Sequence, residues 1–188
     1  FGVLSQAENP LGLQEHLCKL FEGIAELEFD DNLQIYAMKS SKKERVPFIE
    51  PIDPRSTGMQ VEKWLPLVVH GMKATVTRQV EMCHAAFGSK PRIDWGFDWP
   101  GAISLLVSQI MWTANAEAAL LCDDPNALRA YEQRCSAELD QCAIRALTQL
   151  SALQRMTLGA AIVLDLHSRD VLSVMVTSGV DSPSHFEW

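Results

Sequence analysis

Behind Asn9-Pro10, a cap residue followed by the proline tolerated in a first helical turn, Leu13, Leu17, Leu20, Phe21, Ile24 and Leu27 recur at intervals of three and four. That pattern predicts an amphipathic helix ending near Phe29, so residues 1–29 read as a helix completing a preceding subdomain. Between 30 and 50 the period falls to two. Leu33, Ile35 and Ala37 alternate with polar residues, the run Ser40-Ser41-Lys42-Lys43-Glu44 interrupts, and Val46, Phe48 and Ile49 resume, which predicts a β-hairpin with a charged tip. Pro51, Pro54 and Gly58 then punctuate residues 51–60, a connector without apolar periodicity. These three residues are candidate hinge positions, with a proline-stiffened, rigid connection as the equal alternative.

From 61 to 180 the helical period dominates. Val61, Trp64, Leu65, Val68, Met72, Val76, Val80, Cys83 and Phe87 predict one long helix, kinked or delayed by Pro66, and Gly88-Ser89-Lys90-Pro91 closes it. An aromatic-rich loop follows, in which Asp98 is placed to cap a helix beginning at Trp99-Pro100 and running through Ile103, Val107 and Ile110. Asp124-Pro125 repeats the cap-and-proline signature ahead of Leu128, Tyr131, Cys135, Leu139, Cys142, Ala146, Leu150 and Leu153, a helix of about seven turns at 3.6 residues each. A final helix is expected from Gln154 to about Val176, its first half apolar nearly all round and so expected to be buried. Long helices and short loops imply antiparallel packing. The fold class is therefore mainly α: an elongated antiparallel helical bundle with one small β-hairpin, and residues 181–188 as a stub.

Composition narrows the function. Of 188 residues, 47% are hydrophobic and 21% charged, enough for a folded core. The net charge of −8 opposes binding to phosphate backbones or anionic lipid, so no nucleic acid and no membrane is expected as a partner. No apolar run reaches the length of a spanning helix. The five cysteines, Cys18, Cys83, Cys122, Cys135 and Cys142, are odd in number and scattered, mostly on apolar helical positions. They suit buried thiols in a reducing, intracellular compartment. With Phe1 first and Phe186-Glu187-Trp188 last, the chain reads as cut from something longer.

Candidate chemistry is sparse. Gly71-Met72-Lys73 and Gly88-Ser89-Lys90 lack the upstream glycine and the strand-to-helix setting of a phosphate loop, so no nucleotide or other cofactor is expected. The five histidines form no i, i+4 pair, and no metal site is expected. Asp165 and Arg169 fall at i, i+4 and read as an ordinary helix-surface ion pair beside His167 and Asp170, with no pocket or nucleophile nearby. No catalytic residue is assigned. Trp95, Trp99 and Trp112, together with Asp98 and Pro100, read as structural residues bracing a helix start rather than as an aromatic ligand cage. Lys42, Lys43 and Arg45 concentrate positive charge at the hairpin tip of an acidic chain: a solvated turn, or a docking point for an acidic surface.

The block Pro91-Arg92-Ile93-Asp94-Trp95-Gly96-Phe97-Asp98-Trp99-Pro100, followed by Ser108-Gln109-Ile110-Met111-Trp112-Thr113, resembles the linker region of dynein heavy chains. Leu4-Ser5-Gln6, Asn9-Pro10 and His16 to Phe29 resemble the linker ahead of its small hairpin. Asp165-Leu166-His167-Ser168-Arg169-Asp170-Val171 resembles a further linker stretch, and Phe186-Glu187-Trp188 the approach to the first AAA+ module. The Phe-Asp-Trp-Pro form is closer to axonemal than to cytoplasmic chains. The resemblance implies a non-catalytic lever that carries the ATP-driven change of an AAA+ ring into the power stroke, in a parent chain that is a microtubule motor ATPase. Its implied partner is the ring of the same heavy chain, with Lys42, Lys43 and Arg45 as candidate docking residues. Microtubules are reached only through the full motor, and the implied location is the cytoskeleton, in the axoneme of a cilium or flagellum. A generic helical scaffold or adaptor that grips a partner helix is the alternative.

Overall fold

The computed structural model describes residues 10–185. Leu4-Ser5-Gln6, the cap residue Asn9 and Phe186-Glu187-Trp188 lie outside the described residues. The chain is mainly α-helical with one small antiparallel sheet, as its patterning predicts. Packing divides it between Met82 and Cys83, inside a single long helix, rather than at residues 51–60, and the two units are described separately.

The first unit opens with a 3-10 segment, Pro10–His16, that passes into a single α-helical turn, α1 (Leu17–Leu20). The expected helix to Phe29 therefore stops nine residues early. Phe21 is extended at φ −132°, Gly23 follows, and Glu26–Phe29 forms strand β1. Leu27 lies at a helical interval from Leu20 and Ile24 but also on a two-residue alternation with Phe29, and the glycine disfavours the helical option. β1 pairs antiparallel with β2 (Ile35–Lys39), which pairs with β3 (Arg45–Ile52), giving the order β1-β2-β3 with Leu27 opposite Met38 and Lys39 opposite Arg45. The expected hairpin is present, with β1 added at its edge.

Both hairpin loops share one geometry. Asp30 N–H donates to Gln34 O and Ser40 N–H to Glu44 O, and the fourth loop residue, Leu33 or Lys43, takes a left-handed φ of 62° or 65°. In each, the leading side chain accepts from the backbone: Asp30 Oδ1 from Asn32 and Gln34, Ser40 Oγ from Lys42 and Glu44. Polar residues at these leading positions offer the turn its own acceptor.

The sheet packs on α2 (Val61–Ala85), whose Val61, Trp64 and Val68 join Leu13, Leu17, Leu27, Ile35, Phe48 and Ile52 in one core. Pro66 sits inside α2 without ending it, leaving the Glu62 carbonyl without its usual donor. At Gly71 a Cβ would lie 2.8 Å from Ile52 Cδ1, so the glycine permits the close approach of helix and strand. Thr75 Oγ1, itself buried, accepts from Ile49 N–H at 3.2 Å. On the outer side of β1 the Gln14 side chain acts as a surrogate strand: its Oε1 accepts from Leu27 N–H and its Nε2 donates to Leu27 O.

The second unit holds the end of α2, the short α3 (Arg92–Gly96), α4 (Gly101–Leu121), α5 (Ala127–Ala146) and α6 (Ala152–Ser178). The expected seven-turn helix ends at Ala146. Ser151 and Gln154 form a reciprocal capping box that starts α6, and Leu150 and Leu153 continue the apolar period only by coincidence. Asp124 likewise caps a turn rather than α5, accepting from Asn126 N–H at 2.9 Å. Five residues cannot carry the chain back along a helix of about 30 Å at 1.5 Å per residue, so α5 and α6 run antiparallel and pack extensively, with α4 against both. Ala116, Leu128, Tyr131, Leu172 and Met175 are the buried centre. The first half of α6 is not enclosed as its apolar character predicts: Leu158 and Ala161 face inward, while Met156 and Val163 are exposed.

Candidate functional site

The polar centre of the second unit forms around Arg92. Pro91 precedes α3 in an extended conformation and sets Arg92 at the first helical position, from which its guanidinium reaches both α5 and α6. Its Nη2 donates to Asp165 Oδ2 on α6 and to Cys142 Sγ on α5 at 3.7 Å, and its Nε lies 3.1 Å from Glu138 Oε2. Only 18% of the Arg92 side chain and 16% of Asp165 remain accessible, so the pair sits largely out of water. Burial holds the Asp165 carboxyl above its ordinary value despite the guanidinium.

Asp165 therefore does not pair with Arg169, as the i, i+4 spacing suggests. Arg169 bonds its neighbour Asp170 at 2.6 Å instead. Asp165 lies on the packed side of α6, two positions from exposed His167, so the helical interval alone misassigned it. The expectation of no pocket nearby is also corrected. A cavity of about 280 Å³ lies beside the pair, lined by Ser108, Asn115, Tyr131, Arg134, Cys135 and Ser168 among others. Tyr131 O–H donates to Trp112 O at 3.2 Å, tying α5 to α4, and the Arg134 guanidinium stacks over the Tyr131 ring. Burial raises the Cys135 and Cys142 thiols and the Tyr131 hydroxyl, which suppresses their ionised, nucleophilic forms. The arrangement can fasten three helices; it offers no activated nucleophile. The sequence signal was available, since Arg92 and Asp165 each belong to one of the distinctive blocks, but nothing in their spacing joined them.

Trp95 is buried, donates Nε1–H to Cys83 O at 3.2 Å and meets Phe87 edge to face at 5.0 Å. It thus fixes α3 to the end of α2. Asp98 does not cap α4. The cap position is Pro100, which has no side chain to accept, and Asp98 instead pairs with Lys90 at 2.5 Å. Trp99 buries its Nε1, and Trp112 packs on the central core.

At the hairpin tip, Lys43 Nζ contacts Glu26 at 2.8 Å and Arg45 Nε contacts Glu28 at 2.7 Å, while Lys39 bridges both glutamates. Those cations hold the Glu26 and Glu28 carboxyls below their usual range. Lys42 is exposed and has no carboxylate partner among the described residues. Pro51 lies within β3, and Pro54 is buried in a 3-10 turn (Pro54–Thr57) closed by Gly58 at φ 66°. Asp53 caps that turn through Arg55 N–H at 2.9 Å and grips the Arg55 guanidinium. All five cysteines are free; Cys83 and Cys142 are buried as expected, but Cys18 and Cys122 are exposed.

The family model described as dynein heavy chain, N-terminal region 2, matches residues 1–83. Over 186 residues, 99% of this chain, it is 39% identical to dynein axonemal heavy chain 3 of Mus musculus and of Homo sapiens, covering 4% of each. Dynein axonemal heavy chain 12 of Mus musculus is 37% identical over the same length, with 6% of it covered. The chain thus spans a small part of the length of the curated relatives it matches. Together these matches run through both units, and the chain belongs to the dynein heavy chain family, as part of its N-terminal region.

Proposed function

We propose that this segment is the linker of an axonemal dynein motor: a non-catalytic mechanical element that passes the ATP-driven change of the AAA+ ring of the same heavy chain into movement along microtubules of a cilium or flagellum. Arg92 carries the reading. A lever has to resist bending, and a guanidinium that fastens α3 to α5 and α6 at once, with Trp95 fastening α3 to the last turn of α2, braces the second unit internally. Within this reading Lys42, with Lys43 and Arg45 held beside it by glutamates, is the docking point for an acidic surface of the ring. Pro51–Gly58 is a stiff connection, since β3 and α2 on its two sides share one core and the Asp53–Arg55 pair closes its turn.

The test is made in the parent heavy chain. Arg92→Met should loosen α3, seen as faster hydrogen exchange there, and slow microtubule gliding while the ring continues to turn over ATP. Unchanged gliding speed in a variant whose α3 has demonstrably loosened overturns the lever.

A further inference from the structure

Of the 16 lysines and arginines in the chain, Arg145 alone has a serine or threonine three residues after it, Thr148. The two lie at the turn between α5 and α6, where Leu147, Thr148 and Gln149 are all exposed. Short-range bonds hold this turn: Leu147 N–H donates to Ile144 O, and the Thr148 backbone N–H and hydroxyl both donate to Arg145 O. With no buried side chain among those three exposed residues, the segment opens locally at little cost. Arg145 reaches in two directions. Its Nη1 donates to Thr148 Oγ1 at 2.7 Å, while its Nε faces Asp94 Oδ1 on α3 at 3.4 Å and its guanidinium lies over the Phe97 ring. That Nε is buried and donates no hydrogen bond among the described residues, so its hold on α3 is loose. A guanidinium with a donor to spare beside a hydroxyl suits a phosphate on that hydroxyl, whose oxygens accept from it two at a time.

We propose that Thr148 is a phosphorylation site for a protein kinase that selects its acceptor by an arginine three residues upstream, and that the phosphate draws Arg145 off Asp94. The kinase moves the γ-phosphoryl group of ATP: the bond from Thr148 Oγ1 to phosphorus forms as the bond to the departing ADP oxygen breaks, and the hydroxyl proton passes to the kinase's base. The modified oxygen then no longer donates to Arg145 O, and a dianion beside the last carbonyls of α5 is repelled by them. Two charge-assisted bonds to one phosphate outweigh a 3.4 Å contact with a carboxylate that is 47% exposed, so α3 loses a tie to α5. Arg92 keeps its own, to Glu138 and Cys142. The inference rests on the geometry of the second unit and not on the lever reading.

The test is made on the full heavy chain, with Mg-ATP and the purified catalytic domain of a calmodulin-dependent protein kinase, a class that reads arginine at that position. Peptide mass spectrometry should find phosphate on Thr148 of the native chain, and Arg145→Gln should lower its incorporation about tenfold, the loss of one charge-assisted contact with the kinase. Hydrogen exchange in α3 should quicken about two- to fivefold in the phosphorylated chain, the effect of losing a half-exposed ion pair. Asp94→Asn should quicken it as much without phosphate, and phosphorylation of that variant should add nothing further. Absence of phosphate from Thr148 of the native chain overturns the proposal, even where denaturation admits it, as does incorporation that Arg145→Gln leaves unchanged. Phosphorylation that leaves α3 exchange as it was, or that adds its full effect to Asp94→Asn, overturns it equally.

Discussion

Arg92 and Asp165 stand 73 residues apart in sequence and share a hydrogen-bonded ion pair with little access to water. The pair joins two blocks that the sequence presents as separate. Removing either partner has unequal consequences, because Arg92 has a second carboxylate in Glu138 whereas Asp165 has one guanidinium.

Arg92→Met strands the Asp165 carboxylate in a largely buried site and should cost about 3 kcal/mol, the low end of the range for breaking a buried pair. Asp165→Asn leaves Arg92 its bond to Glu138 and should cost clearly less. Urea denaturation of the two variants checks the order; equal losses would mean that Glu138 does not hold the guanidinium.

Acid should act oppositely on the two units. Glu26, Glu28 and Asp53 have folded values below their ordinary 4.5, 4.5 and 3.8, so their contribution is present above those values and lost as pH falls through the lowered ones. Asp165 has a folded value above 3.8, so its protonation favours the folded state, and its contribution, present in acid, is lost as pH rises through the raised value. Hydrogen exchange between pH 7 and pH 3 should show the sheet losing protection ahead of α5 and α6.

Trp95→Ala removes a buried ring, its bond to Cys83 O and its edge contact with Phe87, and should destabilise by about 3–5 kcal/mol. Asp98→Ala loses only an exposed bridge to Lys90, worth under about 1 kcal/mol, and no cap. Chemical denaturation distinguishes these; a large loss from Asp98→Ala would restore it as the cap of α4.

Gly159→Ala should stabilise the 188-residue chain by about 0.5–1 kcal/mol, since the helix gains and nothing is displaced. At Gly71 the same change meets Ile52 Cδ1 at 2.8 Å, and moving that side chain offsets the helical gain. Thermal melts of the two alanine variants should therefore separate, with Gly159→Ala the higher.

The long helices and the charged hairpin were legible because their apolar periods persist over many residues. Errors gathered where two periods agree by accident: Leu27 fits a helix and a strand, and Leu150 and Leu153 extend a helix that Ser151 ends. The centre around Arg92 was not legible for a different reason. An intrahelical partner for Asp165 could be proposed by counting residues, but its real partner is fixed by how α3, α5 and α6 come together.

The Gln14 amide has a consequence for how the chain behaves in a crowded solution. It occupies both backbone groups of Leu27, in the middle of one margin of the three-stranded sheet, and Pro47 and Pro51 withhold donors along the other. With the middle of one margin occupied and donors withheld along the other, the sheet is a poor template for a fourth strand from a neighbouring chain.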